Sequence, residues 1–191
     1  MVDQAVKFLI DTIFGILSYS FLLRFAMQWL RAPFRNPVGQ ALLALTDWAV
    51  KPLRRVLKGW GGIDWSTLAL AWLSEFLWLV AVGLILGRGA IDSAAIPVMM
   101  LLAVVMLIKA ALWLLIIVVL VQAILSWVAP DGPIAGLLNA LTYRFLSPIR
   151  RRIPPLGGTL DLSPLIVIVL AQLVLILGVQ WLERVVLELA R

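Results

Sequence analysis

Residues 96–127 are apolar throughout except for Lys109, Gln122 and Ser126. A run this long is satisfied most simply in lipid, where a helix closes its own backbone hydrogen bonds. A straight helix of that length would measure about 48 Å. The hydrocarbon core is only about 30 Å thick and tilts seldom exceed about 40°. The run holds no Gly, and no Pro beyond Pro97, that would fold it into a hairpin. The expectation is a span over roughly 109–128, with Pro97–Ile108 lying along the opposite interface or packed on the bundle.

Composition points the same way. Hydrophobic residues make up 63% of the chain and charged residues 14%, and mean hydropathy is +1.07, far from the soluble average. The 191 residues suffice for a small helical bundle. The net charge of +6 fits anionic lipid as a partner in so hydrophobic a chain, and nucleic acid is not expected. Cys and His are both absent. That removes thiolate chemistry and the commonest base and metal ligand, so no cofactor, metal site or catalytic residue is expected.

The first span is expected over about 6–30, and its N-terminal stretch lacks a basic leader and a cleavage site, so it reads as retained. Asn36-Pro37 is a helix start, with an Asn cap and Pro at the first helical position. From there Val38, Ala41, Leu42, Leu45 and Ala49 recur at helical spacing. This helix, about 37–57, is too short and polar to span and should lie in the interface. Lys51, Pro52, Arg54, Arg55 and Lys58 follow, then Gly61, Gly62 and Asp64. A second span over about 65–86 is interrupted only by Glu75. Beyond the long apolar run come a second interfacial helix, about 133–152, a second hinge and a last span over about 162–182, with a short charged tail.

The second hinge packs Arg150, Arg151 and Arg152 between Pro148 and Pro154-Pro155, turns at Gly157-Gly158 and ends in Asp161-Leu162-Ser163-Pro164. Asp161 and Ser163 read as caps of the last span, with Pro164 in its first turn. The first hinge repeats this pattern. At an offset of 96, Pro37, Thr46, Pro52, Arg54, Arg55, Gly61 and Gly62 fall on Pro133, Thr142, Pro148, Arg150, Arg151, Gly157 and Gly158. Asp64 and Ser66 meet Asp161 and Ser163 at 97. The fold class is therefore an all-α membrane protein with four transmembrane helices in two tandem repeats, 1–90 and 91–191. Each repeat has an amphipathic interfacial helix and a basic Pro/Gly hinge between its spans. With two spans each, both insert the same way up, related by an axis along the membrane normal.

Loop Arg31–Asp64 carries six Lys/Arg and loop Ala129–Asp161 four, against one in Gly87–Ala95. The positive-inside rule then puts both basic loops in the cytoplasm and both termini outside.

Polar residues inside spans are functional candidates by default. They are Asp11, Arg24, Glu75, Lys109, Gln122 and Gln172. In the offset alignment Arg24 matches Gln122, Glu75 matches Gln172, and Asp11 matches Lys109. The expectation is that Arg24 pairs with Glu75 and Gln122 with Gln172, with Asp11 and Lys109 tying the repeats together. These residues read either as structural glue or as an ion or proton path centred on Glu75. The hinge arginines likewise have two readings. They are a topology signal, or they dock Arg54, Arg55, Arg150, Arg151 and Arg152 on anionic headgroups or an acidic partner.

The doubled pattern resembles the YggT family of bacterial inner-membrane proteins, called YlmG in Gram-positive bacteria and chloroplasts. The resemblance rests on Arg24, Asn36-Pro37, Thr46-Asp47, Pro52-Leu53-Arg54-Arg55 and Gly61-Gly62-Ile63-Asp64 in repeat one. In repeat two it rests on Ser126-Trp127, Pro133, Pro148-Ile149-Arg150-Arg151, Ile153-Pro154-Pro155, Gly157-Gly158 and Asp161-Leu162-Ser163-Pro164. Departures are Trp48 and Arg144, where the family often has a Pro and an acid, and Lys58-Gly59 in place of Pro-Pro. The resemblance implies cell-division or chromosome-distribution phenotypes, osmotic or potassium-stress tolerance, or, in a plastid relative, heme attachment to cytochrome b6f. These fit best a non-enzymatic inner-membrane scaffold or assembly factor, with anionic lipids and membrane, division or assembly proteins as partners. The alternative is a small channel or transporter for ions or osmolytes formed by a homo-oligomer.

Overall fold

The computed structural model describes residues 2–86, 92–153 and 161–189. Among these residues six helices follow in order: α1 Val2–Trp29, α2 Pro37–Val56, α3 Trp65–Leu86, α4 Ala95–Val128, α5 Ala135–Arg152 and α6 Ser163–Glu188. Four of them, α1, α3, α4 and α6, are long and apolar enough to cross a membrane. The shorter α2 and α5 fall between the long helices of each repeat.

Each start has a local cause. Asn36 is extended and accepts a hydrogen bond from the Gly39 amide at 2.9 Å, while its own amide group donates to the Pro33 carbonyl at 2.6 Å. Pro37 occupies the first turn, where a missing N–H costs nothing. The turn before it is tight, and a Cβ at Gly39 would lie 2.5 Å from the Phe34 carbonyl oxygen. Ahead of α6, the Ser163 amide donates to Asp161 at 2.9 Å. The expected capping is corrected: the cap position is Leu162, with no side-chain cap bond, Asp161 holds the Ser163 amide from one residue earlier, and the buried Ser163 hydroxyl has no partner among the described residues.

α2 buries Gly39, Leu42, Thr46, Ala49 and Val50, and α5 buries Leu137, Leu138, Leu141, Thr142 and Leu146. Thr46 and Thr142, matched in the repeat, each donate back to the carbonyl four residues earlier, at 2.6 and 2.8 Å. The expected single apolar face of α2 is in fact divided. Leu45 is 51% exposed and Trp48 67% exposed, forming a second stripe that faces away from the bundle. The small residues and Thr46 take the inner face because helix and bundle approach closely there.

Two of the long helices extend beyond the spans expected within them. The first is α4, which runs unbroken for 34 residues, about 51 Å, so that Pro97–Ile108 continues the helix of the expected 109–128 span and packs on the bundle. Hydrocarbon thickness limits a span, not a helix. Residues 97–108 remain helical because α3 supports them, with Trp72 donating to the Met100 carbonyl at 3.2 Å, and because Ala103 and Val105 are buried. The second is α6, which continues past Leu182 to Glu188 and contains a π-helical stretch, Val174–Val179.

Four clusters form the core. Phe21, Leu22 and Ala71 meet Ala110 where α1 and α3 pack on α4. Met27 packs with Leu42 of α2 and with Leu137 and Leu141 of α5. The Arg144 guanidinium lies 4.8 Å from the Trp29 ring centroid. Both short helices therefore gather at the C-terminal end of α1, on one side of the bundle.

Candidate functional site: paired hinges and a polar cavity

The first hinge is a folded latch. Trp60 and Ile63 exchange two backbone hydrogen bonds of 3.2 Å around Gly61 and Gly62. Both glycines have positive φ, 66° and 78°, the backbone a two-residue primed turn demands and glycine adopts without strain. This turn brings Asp64 back to α2, where its carboxylate accepts from Arg54 and from Thr67. Ser66 donates to the Leu57 carbonyl at 2.5 Å. Burial alone pushes the Asp64 carboxyl up, but the Thr67 and Arg54 bonds and the Arg54 charge outweigh it and hold it below the ordinary value.

The second hinge repeats the latch. Arg150 reaches one oxygen of Asp161, Oδ2, with both Nε at 2.8 Å and Nη2 at 2.7 Å, while the other oxygen accepts from the Ser163 amide. Burial raises Asp161, and its bonds from Ser163 and Arg150 lower it further, to a net depression. Pro154, Pro155, Gly157 and Gly158 lie outside the described residues.

Arg54 and Arg150 are thus occupied within the protein, while Arg55, Arg151 and Arg152 are exposed and join no ion pair among the described residues. The five arginines expected to act alike divide into two latches and three free cations. The signal was present in the sequence: opposite charges recur near the same offset in both repeats, Arg54 with Asp64 and Arg150 with Asp161. Pro52 and Pro148 sit within the last turns of α2 and α5, and Pro164 in the first turn of α6.

The expected intramembrane pairs are corrected. Arg24 does not meet Glu75. It is 3% exposed and donates to Thr46 at 2.6 Å and Asp47 at 2.8 Å, tying α1 to α2. Lys51 binds the other Asp47 oxygen at 2.8 Å. Glu75 instead accepts from Ser18 at 2.5 Å. Gln122 and Gln172 share no hydrogen bond among the described residues, and Gln122 lines a small cavity against α5 with Asn139. Asp11 and Lys109 do not pair. Asp11 is held by Lys7 at 2.7 Å and by the Trp78 indole at 2.8 Å, and Lys109 lies 3.3 Å from Glu183. Sequence reasoning missed Asp47, Ser18, Trp78 and Glu183 as partners because depth along a helix carries no azimuth.

Asp11, Glu75 and Lys109 nevertheless come together around one cavity of about 270 Å³ between α1, α3 and α4, with Tyr19 and Trp78 in its wall. Three ionisable residues that the sequence singled out separately thus converge, across both repeats.

These features define a class: a helical membrane protein of two tandem repeats, each with a short helix and a latched basic hinge between two long apolar helices. The chain belongs to the CCB3/YggT family, whose sequence model matches it twice, over residues 4–85 and 101–182. It is 38% identical over 167 residues to a Vibrio alginolyticus protein described as an uncharacterized protein in the proC 3' region, covering 87% of this chain and 89% of that one. It is 32% identical over 168 residues to the uncharacterized protein YggT of Escherichia coli K12, covering 87% and 85%. A Pseudomonas aeruginosa protein is 33% identical over 165 residues, covering 85% and 82%. No solved structure matches the chain.

Proposed function

We propose that this protein is a non-enzymatic scaffold or assembly factor of the bacterial inner membrane, acting through the side that carries α2, α5 and the two hinges. The single observation behind this reading is charge separation. Residues 31–64 and 129–161 carry ten Lys/Arg against four Asp/Glu, so the whole net charge of +6 belongs to these two segments. The positive-inside rule places them in the cytoplasm. The outward stripe of Leu45 and Trp48 on α2 suits an interface, where an indole sits at headgroup level. Arg55, Arg151 and Arg152, free of internal partners, then attract anionic headgroups or an acidic partner surface.

The test is lipid selectivity in reconstituted membranes, read from the fraction of spin-labelled phosphatidylglycerol and phosphatidylcholine immobilised at the protein. Changing Arg55, Arg151 and Arg152 together to Gln should lower the preference for phosphatidylglycerol while leaving helicity intact. Unchanged preference in the folded triple variant overturns this mechanism.

A second reading, a small oligomeric channel or transporter for ions, draws on the cavity shared by Asp11, Glu75 and Lys109. Charged groups facing a common space inside a span are the usual lining of an ion path. Flux from proteoliposomes that Glu75→Gln abolishes would favour it over the scaffold, and flux equal to that of empty liposomes would remove it.

A further inference from the structure

A crevice of about 370 Å³ runs between α1 and α4 and is closed at one end by α5, walled by Leu22, Ala26, Ala111, Leu115, Val118 and Phe145. Its volume is that of a ligand pocket, and its lining is apolar throughout. Trp29 and Leu30 line it and also line a second cavity of about 530 Å³, so the two adjoin. The second cavity is different in character, with Arg31, Tyr143, Arg144 and Ser147 in its wall. Neither Arg31 nor Arg144 is in an ion pair among the described residues. Arg144 is steadied by stacking over Trp29 at 4.8 Å. Arg31 sits just past the end of α1 with a φ of 54°, a conformation that favours glycine, so the long cationic side chain is present at a backbone cost.

An apolar slot beside a cavity with two guanidinium groups that join no ion pair among the described residues has the chemistry of one amphiphile. We propose that the seam between the two repeats is a binding site for a single anionic phospholipid, with one acyl chain in the α1–α4 crevice and the phosphate between Arg31 and Arg144. Guanidinium groups bind phosphate oxygens with short charge-assisted hydrogen bonds, and the Tyr143 and Ser147 hydroxyls can serve the glycerol or headgroup oxygens. The walls come from α1 of the first repeat and α4 and α5 of the second, so bound lipid bridges the repeats. The site shares no cationic side chain with the hinges, and it stands or falls independently of docking there.

The test is lipid retention by the purified full chain in detergent, read by native mass spectrometry with phosphatidylglycerol or phosphatidylcholine added. The expected result is one phosphatidylglycerol per chain, retained in preference to phosphatidylcholine. Arg31→Gln with Arg144→Gln should weaken it about tenfold or more, while Arg55→Gln with Arg151→Gln should not. Glycerophosphoglycerol, the headgroup without chains, should fail to compete. Equal retention of the two lipids, retention unchanged in the Arg31/Arg144 variant, or full competition by the free headgroup would each overturn the proposal. A measurement on the unaltered chain guards against misfolding of the variant. Phosphatidylglycerol carrying a photoreactive diazirine in its acyl chain should label α1 near Ala26 and α4 near Ala111–Leu115. Labelling confined to the outer faces of α3 and α6 would also overturn it.

Discussion

Arg24, buried in α1, donates to the carboxylate of Asp47 in α2 at 2.8 Å, and with its bond to Thr46 this ties the first short helix to the bundle. The second repeat has lost both partners together, with Gln122 matching Arg24 and Tyr143 matching Asp47. Removing Asp47 alone strands the buried Arg24 charge, while removing both does not. Asp47→Ala should therefore cost about 3 kcal/mol or somewhat less, since the carboxylate is partly exposed. Arg24→Gln with Asp47→Tyr should cost less than the sum of the single changes. Thermal unfolding of the four proteins in one detergent checks this, and strict additivity would contradict the coupling.

The hinge latches should open in acid and not before. The Asp64 and Asp161 carboxyls are both held below the ordinary value in the folded protein. A depressed folded value contributes stability that is fully present above the unfolded value, about 3.9, and is lost as pH falls through the folded value. Hydrogen–deuterium exchange across residues 54–67 should therefore be unresponsive to latch opening above about pH 4, once intrinsic rates are removed, and rise below it. Asp64→Asn should abolish that acid step in the first hinge and leave the one at Asp161.

The repeats, the four long helices and both short ones were legible in the sequence because each rests on a local signal: apolar length, an Asn-Pro start, a Gly-Gly turn. The partners were not. The position of Arg24 and Glu75 along their helices is read from the sequence, but a helix places successive side chains around a full circle, and which way each points is fixed by packing. Thr46, buried on the inner face of α2, itself accepts from Arg24 and so sets Asp47 within reach of the same guanidinium. The continuity of α4 was not legible for a different reason: the thickness of lipid limits a span and says nothing about how far the helix runs beyond it.

Glycine at position 39 is required by space rather than by backbone angle. A Cβ there would meet the Phe34 backbone at 2.5–2.9 Å, and no rotamer change relieves a clash with main chain. Gly39→Ala should destabilise the protein by about 1–3 kcal/mol. Gly136 in α5 is the matched control, because a Cβ there meets nothing within 4 Å. Gly136→Ala should be neutral or stabilise by up to about 1 kcal/mol through helix propensity alone. Unfolding midpoints in detergent separate the two, and equal behaviour would show that the approach of Phe34 is not limiting.

The π-helical stretch Val174–Val179 sits just before Glu183, the residue that pairs with Lys109 of α4 at 3.3 Å. One residue more in a helical turn rotates everything beyond it by about 100° relative to a regular α-helix. We expect this stretch to set the azimuth of Glu183. Deleting Gly178 should regularise α6 and swing Glu183 away from α4. The Lys109–Glu183 contact would then be lost, while the Lys7–Asp11 pair, on a different helix, should be untouched. A Lys109→Cys, Glu183→Cys protein gives the readout: a short bifunctional thiol reagent should bridge the two cysteines readily before the deletion and poorly after it. Equal crosslinking in both would mean that the bundle, and not the π turn, aims Glu183.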